Sequence, residues 1–360
     1  MVADENSSLI NSNSLSSSSI LKYSDLDLLI NLSFCSEERK LYGFKEKLLK
    51  QWEIASKNGT LNYELGDCKF KKLDGQYKIC LQLNEDRCRK RRKPMEFSSV
   101  CQPFDEKLWN FTKLKQEEVS SDTINASPLS FGHSLLIPSP QKCLPQILIF
   151  EAIKMSIELM LLIEDNTFLI ICNGLLAHAS VNHLHLQTLF WPCRGGILEK
   201  NLKITPTKYN WLFLLKRPNW YLPAFTFQIN NKTYINQISR SIEKIINFLI
   251  QKGIAHNLLI CRCKEFNKQI KNDEENLNEF VTIFLFPRKA LKEGLYIGGT
   301  LTSTFVPASL EVAGLLPIYD SNFFNSTTET EIIKIFNERN LMSNEYFEEL
   351  INELFSIDFN

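Results

Sequence analysis

Two histidines stand two residues apart in the segment SVNHLHLQTLF, which covers positions 180–190 of the chain. Alternate residues of a β-strand share a face, so a strand here would place His183, His185 and Gln187 on one side and the intervening leucines in the core. Polar side chains on a short apolar strand are costly to bury unless other groups hydrogen-bond to them. The spacing therefore predicts that something specific meets this face.

Three kinds of structure would satisfy these side chains, and the histidine pair alone does not choose among them. The first is a half-buried strand whose polar face meets water or a hydrogen-bond network. The second is a metal site, which is disfavoured because no carboxylate or cysteine cluster lies nearby at ligand spacing. The third is nucleophilic catalysis on phosphorus, in which one imidazole nitrogen attacks a phosphoryl group while a hydrogen bond to the other nitrogen fixes the tautomer.

The composition is that of an ordinary globular protein. The 360 residues are 44% hydrophobic and 23% charged, and the formal net charge is zero, so no overall field attracts nucleic acid or a membrane. The ten cysteines include no CxxC pair, and the amino terminus has no basic region followed by an apolar one, so we expect a cytoplasmic protein with reduced thiols. We expect neither a membrane nor a nucleic-acid partner, and the oligomeric state stays open.

The elements around the histidines follow a strand–helix–strand–strand order. A strand in HSLLIP precedes an amphipathic helix over 146–163, and strands in FLIIC and around the histidines follow. A similar order recurs in AFTFQI, in a helix with apolar residues from Ile238 to Leu249 that ends at Gly253, and in the strands HNLLICRC and VTIFLFP. This order predicts an α+β fold with antiparallel sheets packed against helices, and it allows one architecture used twice.

The two ends of the chain differ from its centre. The first 22 residues are dominated by Ser and Asn and are predicted to be a disordered leader. At the other end, Ser326 to Glu329 (STTE) has the pattern of a capping box, and EYFEELINELF is typical of an amphipathic helix. We therefore assign positions 1–22 to a leader, 23–322 to the main domain and 323–360 to carboxy-terminal helices.

The segment ASVNHLHLQ resembles the signature of the histidine-triad and galactose-1-phosphate uridylyltransferase superfamily, in which two histidines and a third His or Gln alternate with apolar residues. NASPLSFGHSLLIP resembles a second segment of that superfamily. More specifically, KRRKPMEFSSVCQPFDEKLWNFTKLKQEEV, FGHSLLIPSPQKCLPQ and VNHLHLQ, in this order, look like the GDP-hexose phosphorylases. GQYKICLQLNEDR and HNLLICRC…IFLFPRKA…EVAGLLP extend the resemblance over roughly 45–335.

The resemblance implies a fold, a reaction and a set of partners. The fold would be a histidine-triad/GalT-like α+β architecture, with two similar halves at about 23–200 and 201–322. The reaction would convert a GDP-hexose, GDP-D-glucose before others, and inorganic phosphate into GDP and hexose 1-phosphate, with no tightly bound cofactor and no metal. It would pass through a guanylyl-histidine intermediate, because covalent catalysis divides one substitution into two easier steps.

The resemblance also implies roles for the residues around the HLHLQ segment. His185 matches the nucleophile that attacks the α-phosphorus, and His183 matches a histidine that orients the site. Gln187 stands where a third histidine would be able to move a proton; an amide only donates and accepts hydrogen bonds, so Gln187 favours transfer to phosphate over hydrolysis. Ser180 lies three residues before His183, where a serine or threonine hydrogen-bonds an oxygen of the phosphate or leaving group.

Five further residues match positions that bind the nucleotide or phosphate. Asn125 falls where the superfamily binds ribose hydroxyls, His133 where a histidine lines the pocket, and Asn173 where an asparagine contacts phosphate or ribose. For these three residues and for Ser180, a turn or capping role is the alternative. Arg91 and Arg92, in the basic run RCRKRRK, are expected near the nucleotide or phosphate. A solvated surface, a nuclear-localisation signal and a nucleic-acid contact are the other interpretations of this run.

One loop departs from the family's pattern. NGLLAHAS has Leu176 near the position of an expected glycine, where a side chain would obstruct a close approach of phosphate to the backbone, and it carries the unusual His178. Two other functions stay open from the sequence. One is a nucleotide hydrolase of the same fold, and the other is a non-catalytic nucleotide-binding protein that uses the basic run and the leader to bind partners.

Overall fold

A computed structural model describes most of the chain beyond its first forty or so residues. The described residues are 2–3, 22–23, 44–66, 68–91, 94–113, 124–163, 165–229, 234–266, 279–290, 296–297, 300–301, 305–338 and 342–356. The predicted leader lies almost wholly outside these residues. The division of the chain into a leader, two halves and carboxy-terminal helices stays a prediction.

An antiparallel sheet of eight strands forms the centre of the described structure. The strands of the protein are β1 Val2–Ala3, β2 Lys22–Tyr23, β3 Lys69–Lys72, β4 Cys80–Leu83, β5 Ser134–Leu136, β6 Phe168–Asn173, β7 Leu186–Phe190, β8 Thr205–Pro206, β9 Leu212–Leu215, β10 Ala224–Ile229, β11 Ala255–Lys264, β12 Glu279–Arg288, β13 Tyr296–Ile297, β14 Thr300–Leu301 and β15 Leu315–Ile318. The large sheet has the order β5–β7–β6–β11–β12–β10–β9–β8. Strands from the two halves of the sequence therefore meet where β6 pairs with β11.

Helices cover this sheet, and their apolar spacing explains where they lie. They are α1 Phe44–Lys57, α2 Glu85–Lys90, α3 Phe150–Leu162, α4 Ile235–Gln251, α5 Ser309–Val312, α6 Ser321–Ser326, α7 Glu329–Glu338 and α8 Asn344–Ser356, with short 3₁₀ helices at Phe111–Lys113, Pro140–Lys142 and Gly196–Leu198. In α4, Ile238, Ile242 and Ile245 recur at helical spacing and are fully buried. Gly253 follows with a φ of +67°, in the left-handed region, and ends the helix as predicted.

Both faces of the large sheet are buried, because successive residues of each strand point to opposite sides. In β11, Leu258 and Ile260 pack with α3, α4 and α8, whereas Leu259 and Cys261 pack with the residues of β4, β15 and α7. The predicted α+β fold, with antiparallel strands packed against helices, is confirmed. No helix within the described ranges combines the length and the apolar run that a membrane span requires.

A second sheet has three strands and joins distant parts of the sequence. It has the order β15–β4–β3, with β3 antiparallel and β15 parallel to β4. A hairpin around Asp74 and Gly75 connects β3 to β4. The parallel pairing of Leu315 with Cys80 therefore ties the segment after α5 to an element near the amino-terminal end of the globular part.

Two sequence predictions of local structure are wrong. Strand β7 begins at Leu186, so His183 and His185 precede the strand that they were expected to occupy. The reason is that the backbone N–H groups here bond outside a strand ladder. The N–H of Leu184 donates to the carbonyl of Leu144, and the N–H of His185 donates to the side chain of Gln146. The STTE segment is no capping box. Its first serine is the last residue of α6, and the hydroxyl of Thr328 instead accepts from the N–H of Glu331 at 3.3 Å.

Candidate active site

A cavity of about 630 Å³ opens beside the HLHLQ segment and is lined by both halves of the sequence. The first half contributes loop and strand residues around the predicted site, and the second half contributes the segment before and within α5. Of the predicted site residues, the cavity lining includes Arg91, Asn125, Asn173, Ser180, His185 and Gln187. The structure thus brings together six residues that the sequence spreads over about a hundred positions.

His185 is held in a position that defines which of its ring nitrogens carries the proton. Its Nδ1 lies 2.8 Å from the carbonyl oxygen of His183, and a carbonyl only accepts, so Nδ1 carries the proton of the neutral ring. Nε2 then bears the lone pair. Gln146 holds the backbone of His185 from both sides, accepting from its N–H at 2.9 Å and donating to its carbonyl at 3.0 Å. The ring is 5% exposed, at the edge of the cavity.

His183 supports the site without lining the cavity. It is fully buried between the rings of Phe104 and Phe111, whose centroids each lie 5.3 Å from that of the imidazole. Its Nδ1 accepts from the N–H of Phe111 at 3.3 Å, and burial lowers its pKa. A neutral ring in this place anchors Phe111, which in turn packs against His185. The orienting role of His183 stays a prediction; the contacts that bear on it are those of its ring with Phe111 and of its carbonyl with the ring of His185.

His133 lies behind Gln187 and determines which way its amide points. The Leu129 N–H donates to His133 Nδ1 at 2.8 Å, so the neutral ring carries its proton on Nε2. That nitrogen is 2.9 Å from Gln187 Oε1, which must accept. Burial lowers the pKa of His133 to about 3, with Arg87 adding to the effect, and keeps the ring neutral. The NH₂ group of Gln187 is left for the cavity. His133 is itself fully buried and outside the cavity lining, which corrects the expectation that it lines the pocket.

Asn125 and Ser180 line the cavity at two different places. Asn125 Oδ1 accepts from the N–H of Ser127 at 3.0 Å, and its amide nitrogen lies 3.2 Å from the ring of His133. Asn125 thus forms a turn and also borders the cavity, so its two proposed roles are compatible. Ser180 is half-buried in the loop before the histidines, and its carbonyl accepts from the N–H of Met95.

The basic run contributes two arginines to the cavity. Arg91 lines it directly after α2, as expected, whereas Arg92 lies outside the described residues. Arg87, which the sequence interpretation did not single out, also lines the cavity and donates to the carbonyl of Ser127. The other cations of α2, Arg89 and Lys90, are exposed. The run is therefore partly solvated surface and partly cavity wall.

Glu311 is the most informative residue that the sequence interpretation missed. It lies in α5, is 4% exposed and lines the cavity, and its Oε2 accepts from the Ala308 N–H at 3.1 Å. Burial raises its pKa to about 8 although Arg87 and Arg91 act in the opposite direction. The EVAGLLP block contains it, but nothing in its spacing indicates that the chain folds back to the histidines.

The NGLLAHAS loop adopts the backbone conformation that glycine would favour, without glycine. Leu176 and His178 have φ of +57° and +74°, in the left-handed region that costs a residue with a Cβ roughly 1–2 kcal/mol. Leu176 packs near Val100 and Ala255, outside the cavity lining. The expected obstruction of the site by this side chain is therefore absent. His178 lines the cavity. Strained backbone of this kind is concentrated at functional sites in proteins.

Within the part of the chain that the structure describes, no three His, Cys, Asp or Glu side chains are grouped as metal ligands would be. The polar groups at the cavity include amides, serines, arginines, the carboxyl group of Glu311 and two histidines, of which His185 has a defined tautomer. The HLHLQ segment lies at this cavity, beside the eight-stranded antiparallel sheet. The yeast Ap4A phosphorylase Apa2, in complex with Ap4A, has a similar fold, with a TM-score of 0.52 and 15% identity over 80% of this chain and 94% of that one.

The chain belongs to the GDPGP1-like family. The family's N-terminal domain matches residues 43–122 and 120–189, and its C-terminal domain matches 214–358. GDP-D-glucose phosphorylase 1 of Caenorhabditis elegans is 34% identical over 88% of this chain and 69% of that protein, and the Danio rerio protein of the same name is 32% identical over 87% and 92%. GDP-L-galactose phosphorylase 2 of Arabidopsis thaliana is 28% identical over 87% and 76%.

Proposed function

We propose that this protein is a GDP-hexose phosphorylase that converts GDP-D-glucose and inorganic phosphate into GDP and glucose 1-phosphate. The observation that carries the proposal is the tautomer of His185, whose Nδ1 is committed to the His183 carbonyl at the edge of the cavity. Such an imidazole is a nucleophile at neutral pH without further activation. The names of the relatives in worm, fish and plant support a GDP-hexose as the substrate.

The reaction takes place in two displacements at the same phosphorus. Nε2 of His185 attacks the α-phosphorus of GDP-hexose, the bond from phosphorus to the bridging oxygen breaks, and hexose 1-phosphate leaves with the electron pair. An oxygen of inorganic phosphate then attacks the guanylyl-histidine, the phosphorus–nitrogen bond breaks, and GDP leaves. Hydrogen-bond donors stabilise the charge that develops on the phosphoryl oxygens in both steps.

Several residues of the cavity suit this chemistry. The NH₂ group of Gln187 donates to a phosphoryl oxygen, and an amide at this position has no proton to exchange with an attacking water. Ser180 donates to the phosphate or the leaving oxygen, and Asn125 meets the ribose hydroxyls. Arg91 supplies positive charge for the second phosphate or for the incoming one. These roles, like that of Arg92, which lies outside the described residues, are part of the proposal.

The test is a chromatographic assay of the purified protein with GDP-glucose, with and without inorganic phosphate. GDP and glucose 1-phosphate that form only when phosphate is present support the proposal. GMP that forms in both conditions would instead identify a hydrolase. Binding of GDP-glucose in calorimetry without any product, across a panel of GDP-hexoses, would identify a non-catalytic binding protein.

The variant His185→Asn tests the mechanism. It should abolish turnover and the trapped guanylyl adduct while the protein still binds GDP, because an amide of similar length cannot attack phosphorus. His256→Asn is the matched control, since that buried imidazole lies outside the cavity lining. Substantial turnover by His185→Asn would refute covalent catalysis at this residue.

A further inference from the structure

A line of three buried polar side chains runs from the second half of the sequence to the cavity. Arg288, at the end of β12, donates from NH1 to Asn257 Oδ1 at 3.1 Å. Asn257, on β11, donates from Nδ2 to Asn173 Oδ1 at 2.8 Å. Arg288 and Asn257 are 2% and 0% exposed, and neither lines the cavity, whereas Asn173 does. No motif in the sequence singles out Arg288 or Asn257.

The chemistry of each group determines the direction of the whole line. A guanidinium only donates, so the oxygen of the Asn257 amide must face Arg288 and its nitrogen must face Asn173. The oxygen of the Asn173 amide therefore faces Asn257. The backbone N–H of Ser309 donates to the same oxygen at 2.9 Å, from the other side. The Ser309 hydroxyl lies 2.6 Å from the same oxygen. With Oδ1 held by these donors, the NH₂ group of Asn173 is the part of the amide left for the cavity.

Strand register places Asn173 beside the nucleophile. In the β6–β7 ladder, Ile171 is opposite Gln187, and both line the cavity. The ladder ends at this pair, but Gln146 Nε2 lies 3.0 Å from the carbonyl oxygens of both Asn173 and His185 and so bridges the two residues. Both of them line the cavity. The NH₂ group of Asn173 is therefore close to the place that a phosphoryl group bonded to His185 would take.

We propose that Arg288, Asn257 and Ser309 are positioning residues that hold the Asn173 amide as a donor toward the α-phosphoryl group. The proposal rests on the phosphorylase function proposed above. An unrestrained asparagine can present either its oxygen or its nitrogen, and the oxygen would repel the negative charge that develops on the phosphoryl oxygens. The line removes that choice before substrate binds, and preorganised donors of this kind cost no reorganisation during the reaction. The second half of the sequence thereby completes the site around a histidine of the first half.

Asn257→Asp is the sharpest test, because it changes one NH₂ group into an oxygen. The introduced carboxylate still accepts from Arg288, and the pair of opposite charges keeps the buried guanidinium satisfied. It cannot donate to Asn173, nor to the Ala177 carbonyl oxygen that also accepts from Asn257 Nδ2 at 2.9 Å. The Asn173 amide then loses a donor that fixes its direction, and the carboxylate attracts its nitrogen away from the cavity. We expect kcat of the folded variant to fall by about 10²-fold or more, the size of losing one oxyanion donor. The control is Gln228→Glu, which places a buried carboxylate in β10 away from the cavity. It should lower the melting temperature and leave kcat unchanged.

A second pair of variants covers the case in which Asn257→Asp does not fold. Arg288→Met leaves the Asn257 amide without a fixed direction and should lower kcat, whereas Arg288→Lys keeps a donor and should restore part of the loss. The positioning role alone is overturned if the wild type is active and Asn257→Asp has the same kcat. If Asn257→Asp does not fold, an unchanged kcat of Arg288→Met overturns it instead. A wild-type protein that does not phosphorolyse any GDP-hexose overturns the proposed function itself.

Discussion

Glu311 makes the stability of the protein depend on pH in a way that one substitution should remove. Its carboxyl group is buried, accepts one hydrogen bond from the Ala308 N–H, and has a pKa raised to about 8 from the ordinary 4.5. Glu311→Gln keeps the shape of the side chain and an oxygen that accepts the same hydrogen bond. It removes only the proton that titrates.

The sign follows from where the proton is held. The folded protein keeps this proton up to about pH 8, whereas the unfolded chain releases it near pH 4.5. The contribution of the group to stability is therefore full below the unfolded-state pKa and is lost as the pH rises through the folded-state pKa. Each unit of separation is worth about 1.4 kcal/mol. Between about pH 5.5 and about pH 7.5, the free energy of unfolding of the wild type should therefore fall by roughly 2–3 kcal/mol relative to the variant.

Urea unfolding of both proteins at the two pH values measures this difference. Burial lowers the pKa of His133 to about 3 and of His256 to about 4, so these histidines contribute stability that is lost as the pH falls. They are common to both proteins and cancel in the comparison. A difference between wild type and Glu311→Gln that is the same at both pH values would show that this carboxyl group does not titrate where its burial indicates.

Two further predictions concern the site and the backbone. Gln187→Glu should lower kcat by about 10²–10³-fold in steady-state assays, because it replaces an NH₂ donor by a carboxylate that repels phosphoryl oxygens; an unchanged kcat would show that the amide does not contact them. Gly196→Ala should leave little folded protein in a thermal melt, since Gly196 has φ +53° and an added Cβ would collide with the Ala313 carbonyl. Gly253→Ala, also at positive φ but in open space, is its control and should cost only about 1 kcal/mol.

The sequence predicted the parts of the fold that depend on local periodicity. The helix expected over 146–163 forms at Phe150–Leu162, and the stripe of α4 and its glycine stop are as predicted, because burial of one face repeats every three to four residues. The predicted strand around the histidines was wrong at its start, because β7 begins only at Leu186. Alternation of polar and apolar residues is the same whether a segment lies in a ladder or, like His185, bonds to the side chain of Gln146.

The candidate site was predictable only where a motif marked it. Six of the nine expected residues line one cavity, since the resemblance placed them there by position. Arg87, Glu311, Asn257 and Arg288 were missed because their roles arise from contacts between segments far apart in the sequence, and a single chain shows no trace of such contacts. The direction of an amide, which matters at Asn173 and Gln187, is likewise a property of its partners and not of its neighbours in sequence.

The parallel pairing of β15 with β4 has a consequence for how the protein forms on the ribosome. Cys80 leaves the exit tunnel long before Leu315 is made, and at roughly 5–20 residues per second about ten seconds to a minute separate the two. During that time one edge of β4 has no strand beside it, and an unpaired edge invites association with other chains. We expect nascent chains that stop before Leu315 to depend on chaperones, and carboxy-terminal truncations to yield aggregates rather than a smaller stable protein.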